Sequence, residues 1–363
     1  MKYRITPLDP LISRDARQFG AGSPMHSFSW ITNTVIAGAV RTVLWKTSDN
    51  PGSKETLDAL KNIPVTGNFP ILDGKIYFPR PLDIIKSAND IYQIKPGEFP
   101  DGSGANMPIE GLMPSFPDAE EDFKPEKLNA FWEKDMMLHW LMHGRENFSP
   151  GEKNTLPAPA HDERVHAKID PSAGAAKDGN LFSTTGLDFI RRDPDKGLLR
   201  GEISVDIGTL NLPSRFVAPV GGERRLAEFS RHDDDAALWE CPGEVDVTGG
   251  NLRLVLASPA IFGNGWLPDW IDTETLTGTI PGTNAAVKLV SAVTDRWQPV
   301  SGWYYERGNS GPKPMRRAVP AGSVYFFEVI SGNADAKSLW LKSICIDKQN
   351  INDGFGLVLA GKW

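Results

Sequence analysis

Apolar and polar residues alternate at the very start of the chain: in KYRITPL, Tyr3, Ile5 and Pro7 interleave with Arg4 and Thr6. A period of two predicts a half-buried strand. After a turn rich in Gly, Pro and Ser, the period lengthens. In WITNTVIAGAVRTVLW, Ile36, Ala39, Val40, Val43 and Leu44 fall at i, i+3, i+4, i+7 and i+8, the stripe of an amphipathic helix. Thr32, Asn33 or Thr34 is available as its N-cap. NFPILDGKIYFPRPLD then sets Asp73-Gly74 between two apolar runs, a hairpin signal because both central residues of a type I′ turn need positive φ. Strand, helix and hairpin make the opening half of a split β-α-β unit.

Residues 94–130 are rich in Pro, Gly, Asp and Glu and read as an insertion or linker. LNAFWEKDMMLHWLMHG predicts a helix stopped by Gly144, and 145–180 is polar with little periodicity. LRGEISVDIG and RLAEFSRH are strand candidates that complete the first sheet. NLRLVLASPAIF opens a second strand-rich stretch, continued by AAVKLVSAVTDRW, GSVYFFEVI and FGLVLAG. The order of elements predicts an α+β fold. An N-terminal domain is expected over 1–245 with a long insertion at about 94–180, and a C-terminal domain over 246–363. The comparable logic of the halves suggests duplication of one α+β unit, although no sequence repeat is visible.

Composition narrows the classes. Of 363 residues, 40% are hydrophobic and 23% charged, as in ordinary globular proteins, while 35 Gly and 29 Pro fit many turns and short strands. A net charge of −7 disfavours a free-standing, non-specific nucleic-acid binder but leaves room for a local basic groove. Two cysteines, Cys241 and Cys345, support neither a disulfide framework nor a zinc site. There is no apolar signal core and no stretch of membrane-spanning length, so a reducing cytoplasm is the expected address.

The glycines of NDGFGLVLAGKW invite a nucleotide-binding reading, but two residues after Gly361 leave no room for the helix of a dinucleotide fold. Lys362 precedes a terminal Trp363 instead of the Ser or Thr of a P-loop. What remains is a pair of φ-permissive glycines, Gly354 and Gly356, feeding a buried strand. Their bare backbone allows close approach of a phosphate, and a tight turn with no ligand explains them too. His139 and His143 have zinc-ligand spacing, but Trp140 stands where a metalloprotease needs Glu. The acidic run His232 to Asp235 lacks the alternation of a calcium loop. No metal and no cofactor are expected. His26, beside RDARQF, is a candidate general base with no partner assignable from sequence.

Basic residues gather in glycine-bearing segments: Arg14 and Arg17 near the first turn, Arg224 and Arg225 after Gly221 and Gly222, and Lys313, Arg316 and Arg317 in GPKPMRRAVPAG. Arginine beside exposed backbone N–H groups is the chemistry that binds phosphate.

Read in order, PLDPLISRDARQF, IDPSAGAAKDGNLFSTTGLDF, GGERR, SPAIFGNGWLP, GPKPMRRAVPAGSVYFFE and GFGLVLAGKW resemble the RAMP-superfamily subunit that caps the Cmr (type III-B) CRISPR effector. The resemblance implies a non-catalytic protein of two ferredoxin-like, RRM-related domains. Such a protein holds the 5′ repeat-derived handle of CRISPR RNA (crRNA) and docks on the large polymerase-like subunit and the backbone RAMP subunits. It implies RNA contact by Arg14, Arg17, Gly221, Gly222, Arg224, Arg225, Lys313, Arg316 and Arg317, and at the helix N-terminus formed by Thr32 and Asn33. Gly354 and Gly356 would form the superfamily's glycine-rich loop. RVHAKIDPSAGAAKDGNLF resembles a protruding hairpin whose Val165, His166 and Lys168 reach the junction of handle and guide. The alternative is a metal-independent crRNA-processing endoribonuclease in which His26 drives attack of a 2′-OH on the adjacent phosphate.

Overall fold

The initial alternation produces β1 (Lys2–Pro7), with Tyr3 and Ile5 wholly buried and Lys2, Arg4 and Thr6 partly exposed. The computed structural model describes residues 1–16, 25–48, 53–88, 90–119, 123–208, 212–242, 250–304 and 310–363. These form two compact units, each drawn from three stretches of chain. The first comprises Met1–Gly74, Ala158–Asp234 and Pro299–Arg316, and the second Lys75–Pro157, Asp235–Gln298 and Arg317–Trp363.

In the first unit, α1 (Asn33–Thr47) buries Ile36, Ala37, Ala39 and Val40, and Val43 and Leu44 lie partly buried on the same core. Thr32 occupies the N-cap with extended backbone, but its hydroxyl does not cap the helix. Its N–H donates instead to Ser13 Oγ at 3.0 Å, which ties the helix entrance to the segment after β1. The chain continues through β2 (Thr66–Leu72), a long hairpin of β3 (Ala160–Asp170) and β4 (Ala175–Asp188), then β5 (Glu202–Asp206), β6 (Arg215–Pro219) and β7 (Leu226–Arg231). Asp73 and Gly74 follow β2 with φ of 52° and 75°, the left-handed pair expected of that turn.

The sheet of this unit runs β6-β7-β1-β5-β2, with antiparallel neighbours throughout. Ile5 sits opposite Ile203 on one side and Phe229 on the other, and α1 covers this face. With β6 set aside, the strands stand in the order fourth, first, third, second, and α1 connects first to second.

The hairpin β3–β4 forms a two-stranded sheet of its own, joined to the rest of the unit at its root, where Leu187 bridges to Leu11. Most of β3 is exposed on both faces, so neither face had to become apolar. For that reason the polar 145–180 stretch shows no strand period although it contains a strand of 11 residues.

In the second unit, α2 (Lys134–His143) ends at Gly144, whose φ is 58°, as expected. It starts later than the sequence suggested. Phe131–Glu133 forms a short, fully buried strand, because its aromatic residues pair with Tyr77 to Pro79 before the helix begins. The main sheet carries β8 (Asn251–Leu256), β9 (Thr277–Thr279), β10 (Ala286–Val293), β11 (Val324–Ser331) and β12 (Val358–Gly361). Its order is β9-β10-β11-β8-β12, again antiparallel. With β9 set aside, the order is second, third, first, fourth, the same arrangement read from the opposite edge. No helix joins first to second strand here; two short ones, α3 (Ala336–Leu339) and α4 (Lys348–Asn352), join third to fourth.

Candidate nucleic-acid interface

Segments far apart in sequence meet around Leu11–Ala16 in the first unit. Leu11 exchanges backbone hydrogen bonds with Leu187 at the root of the hairpin, at 3.0 and 2.7 Å. The carbonyl of Ile12 accepts from Gly222 N–H at 2.9 Å, and Ser13 holds Thr32 at the start of α1. Asp15 N–H donates to the His26 carbonyl at 3.0 Å, and Ala16 N–H to Pro299 at 3.3 Å. One short stretch thus gathers the GGERR loop, the helix entrance, the hairpin root and the segment that leads to Lys313.

The GGERR loop shows why glycine is needed. Gly221 has a φ of 75°, and a Cβ on Gly222 would lie 2.9 Å from Ile12 Cγ2. Glu223 and Arg224 follow with φ of 54° and 51°, a conformation costing about 1–2 kcal/mol per non-glycine residue. Val220 N–H closes the loop on the Arg225 carbonyl at 2.8 Å. The strained turn leaves Arg224 exposed, whereas Arg225 is mostly buried and pairs with Glu223 at 3.2 Å.

Arg14 is exposed beside His26, which is exposed as well, the two segments joined by an isolated bridge between Arg14 and Ser27. Thr32 is half-buried and Asn33 buried at the helix entrance. Ser301 carries the last contribution: its carbonyl accepts from Thr34 Oγ1 at 3.5 Å, and its hydroxyl donates to the Lys313 carbonyl at 2.8 Å. Lys313 and Arg316 follow in this segment, both partly exposed. On the hairpin, His166 stacks on Phe182 with centroids 5.1 Å apart, and its Nε2 lies 2.9 Å from Thr184 Oγ1; Lys168 is exposed. Arg17 lies outside the described residues.

Trp303 belongs to this group and was missed from sequence. It pairs with Pro312 in a two-residue ladder and is 56% exposed. The available signal was an aromatic residue in a Gly- and Ser-rich stretch with no apolar period to bury it.

The remaining expected residues belong to the second unit. Arg317 is exposed, with its guanidinium 4.9 Å from the centre of the Trp297 ring. Gly354 and Gly356 are buried, with φ of 79° and 73°. Their N–H groups donate to the carbonyls of Ile351 at 3.0 Å and Pro259 at 2.8 Å. A Cβ on Gly356 would lie 2.6 Å from Cys345 Sγ, so close packing alone requires glycine there.

Elsewhere, the two histidine rings of α2 lie 5.0 Å apart, and His139 Nε2 lies 2.7 Å from the Glu146 carbonyl. Among the described residues no group of three or more His, Cys, Asp or Glu is placed to hold a metal ion, and no helix is long and apolar enough to cross a membrane.

One chain of a type III-B Cmr-beta complex, solved by cryo-EM with cognate target RNA and AMPPnP, shares this fold. It has a TM-score of 0.51 and 16% identity, over 90% of this chain and 86% of that one. A second Cmr-beta structure with cognate target RNA gives a TM-score of 0.48 at 17% identity, covering 90% and 86%. A chain of the Csm3–Csm4 subcomplex of a type III-A CRISPR-Cas interference complex gives 0.34 at 11% identity, covering 92% and 96%. No curated protein matches the sequence at a significant level.

Two antiparallel sheets and a long exposed hairpin frame the chain, and the family match over nearly its whole length makes it a RAMP-like subunit of a CRISPR effector. The chain belongs to the family described as CRISPR-associated protein (Cas_Cmr3), whose pattern matches residues 3–363, and it is a Cmr3-like subunit of a type III-B Cmr complex.

Proposed function

We propose that this subunit is a non-catalytic RNA-binding and assembly component that anchors the 5′ handle of crRNA and bridges to the large polymerase-like subunit and the backbone RAMP subunits. The observation that carries this reading is that the segments bearing Arg14, Thr32, Arg224 and Lys313 are gathered around Leu11–Ala16 in an otherwise acidic chain. Unpaired RNA is held by arginine and backbone donors on its phosphates while its bases are splayed for recognition. The hairpin, with Val165, His166 and Lys168, would extend the contact toward the guide.

We read the two sheets as the cores of two ferredoxin-like, RRM-related domains, over 1–245 and 246–363. The fourth-first-third-second strand order in both supports this, as does the helical crossover after β1. Cytoplasmic residence follows from the RNA partner.

The test is footprinting of crRNA in the assembled complex with and without this subunit. Protection confined to the 5′ handle and lost without the subunit is the expected result; an unchanged handle footprint would reject it. Incubation of the full chain with repeat RNA in EDTA should leave the RNA intact. Specific cleavage abolished by His26→Ala would replace this reading with the endoribonuclease.

A further inference from the structure

Trp297 and Arg317 of the second unit form a pair that neither folding nor charge balance demands. The indole is 43% exposed, so much of its apolar surface gains nothing from burial. The guanidinium lies 4.9 Å from the ring centre, within cation–π range. Among the described residues, no hydrogen bond or ion pair holds Arg317, although the chain carries 46 acidic residues against 39 Lys and Arg. The Trp297 side chain likewise donates to no described acceptor. Side chains with so much unused capacity are set against each other on the surface, with Arg296 exposed next to Trp297 in sequence.

We propose that the Trp297–Arg317 pair is a stacking platform for one unpaired nucleobase of the bound RNA. The ring and the planar guanidinium supply the flat surface, and the N–H fork of Arg317 takes the adjoining phosphate or base edge. Each part has a separate physical role. Stacking on an aromatic face is tolerant of base identity because every base has a π-face. The cation on the ring restricts the guanidinium before RNA arrives, which lowers the entropy lost on binding. Lysine cannot replace it, since an ammonium offers neither a plane nor a fork. This inference rests on the RNA-anchoring function proposed above and adds to it a base-holding element outside the basic hub.

The experiment uses the full-length chain and handle RNAs carrying 2-aminopurine at one position at a time. The wild-type protein should quench the probe strongly at one position and weakly at the others. Trp297→Phe should retain most of that quenching. Trp297→Ala should abolish it and weaken RNA binding about 5- to 150-fold, the range for loss of one base stack. Arg317→Lys should lose much of the effect despite its retained charge. The variant Arg14→Ala/Arg224→Ala should bind less tightly yet, at saturating protein, quench the same position.

Tight binding by the wild type with no position-specific quenching would overturn the platform and leave the anchoring function intact. Failure of the wild type to bind handle RNA would overturn both. If Trp297→Ala left RNA binding unchanged and instead weakened association with the other Cmr subunits, the pair would be a protein contact and the proposal wrong. Unchanged thermal melting of Trp297→Phe and Arg317→Lys shows that the fold survives in those variants.

Discussion

The guanidinium of Arg253 donates to the Asp83 carboxylate at 2.6 Å, and both side chains are 0% exposed. Trp140 Nε1 donates to the same carboxylate at 2.8 Å, and the Trp140 carbonyl accepts from Arg253. Strand β8 and helix α2 of the second unit are thereby joined to the segment after Phe78 through one buried ionic group. Coulomb attraction offsets the desolvation of two charges only while each charge keeps its partner.

Asp83→Ala should therefore destabilise the protein by about 3–5 kcal/mol, because it strands the Arg253 charge in the core. Arg253→Met combined with Asp83→Leu should cost much less than the two single changes added together. Urea midpoints of the four proteins check this. A double variant as unstable as the sum would show that the two residues act independently.

Neutralising exposed arginines of the hub should change salt dependence as well as affinity. If Arg14 and Arg224 bind phosphate as proposed, Arg14→Ala/Arg224→Ala should flatten the slope of log K against log salt by about 1.4, at roughly 0.7 per charge on single-stranded RNA. Arg225→Ala should instead lower stability, since its side chain is mostly buried against Glu223. Filter binding across a salt series, with melting curves alongside, separates the two outcomes.

Gly356→Ala introduces a Cβ 2.6 Å from Cys345 Sγ and 3.1 Å from the Cys345 backbone nitrogen, at a φ of 73°. Backbone strain and overpacking together predict a loss of about 2–4 kcal/mol. Adding Cys345→Ala should restore only part of it, because the strained φ and the close backbone atom remain. Full restoration would place the whole cost on the sulfur.

Burial pushes the Cys345 thiol up to about 11. With so little thiolate at neutral pH, Cys345 should resist iodoacetamide at pH 8 in the native protein and react once urea unfolds it. Peptide mapping of the alkylated protein reads this directly.

Burial tends to raise the Asp206 carboxyl, but Lys2 Nζ at 2.7 Å and the Gly208 N–H at 3.0 Å outweigh it and hold it below the ordinary aspartate value. A depressed carboxyl stabilises the fold fully above its unfolded pKa of about 3.9 and loses that contribution as pH falls through its folded value. The melting temperatures of wild type and Asp206→Asn should thus differ most near neutral pH and converge in acid. The neutral-pH gap should correspond to about 1 kcal/mol or less, since the carboxylate is 29% exposed.

The sequence by itself determined the regular elements that bury one face. Tyr3 and Ile5 marked β1, the Ile36–Val40 stripe marked α1, and Asp73-Gly74 marked its turn, because burial on one side forces a period and positive φ selects particular residues. It also marked most of the basic segments, since an arginine beside glycine is visible without coordinates. Tertiary structure alone decided which of these segments meet. The bonds from Leu11–Ala16 to Leu187, Gly222, Thr32 and Pro299 span gaps that no local pattern encodes. Strand β3 of the hairpin left no periodic signal, and only the family resemblance pointed to it, because exposure on both faces erases the alternation by which strands are recognised. The Arg253–Asp83 pair was hidden for the opposite reason: it is a contact between residues 170 positions apart, and a charge in a strand reads as surface until its partner is found in the core.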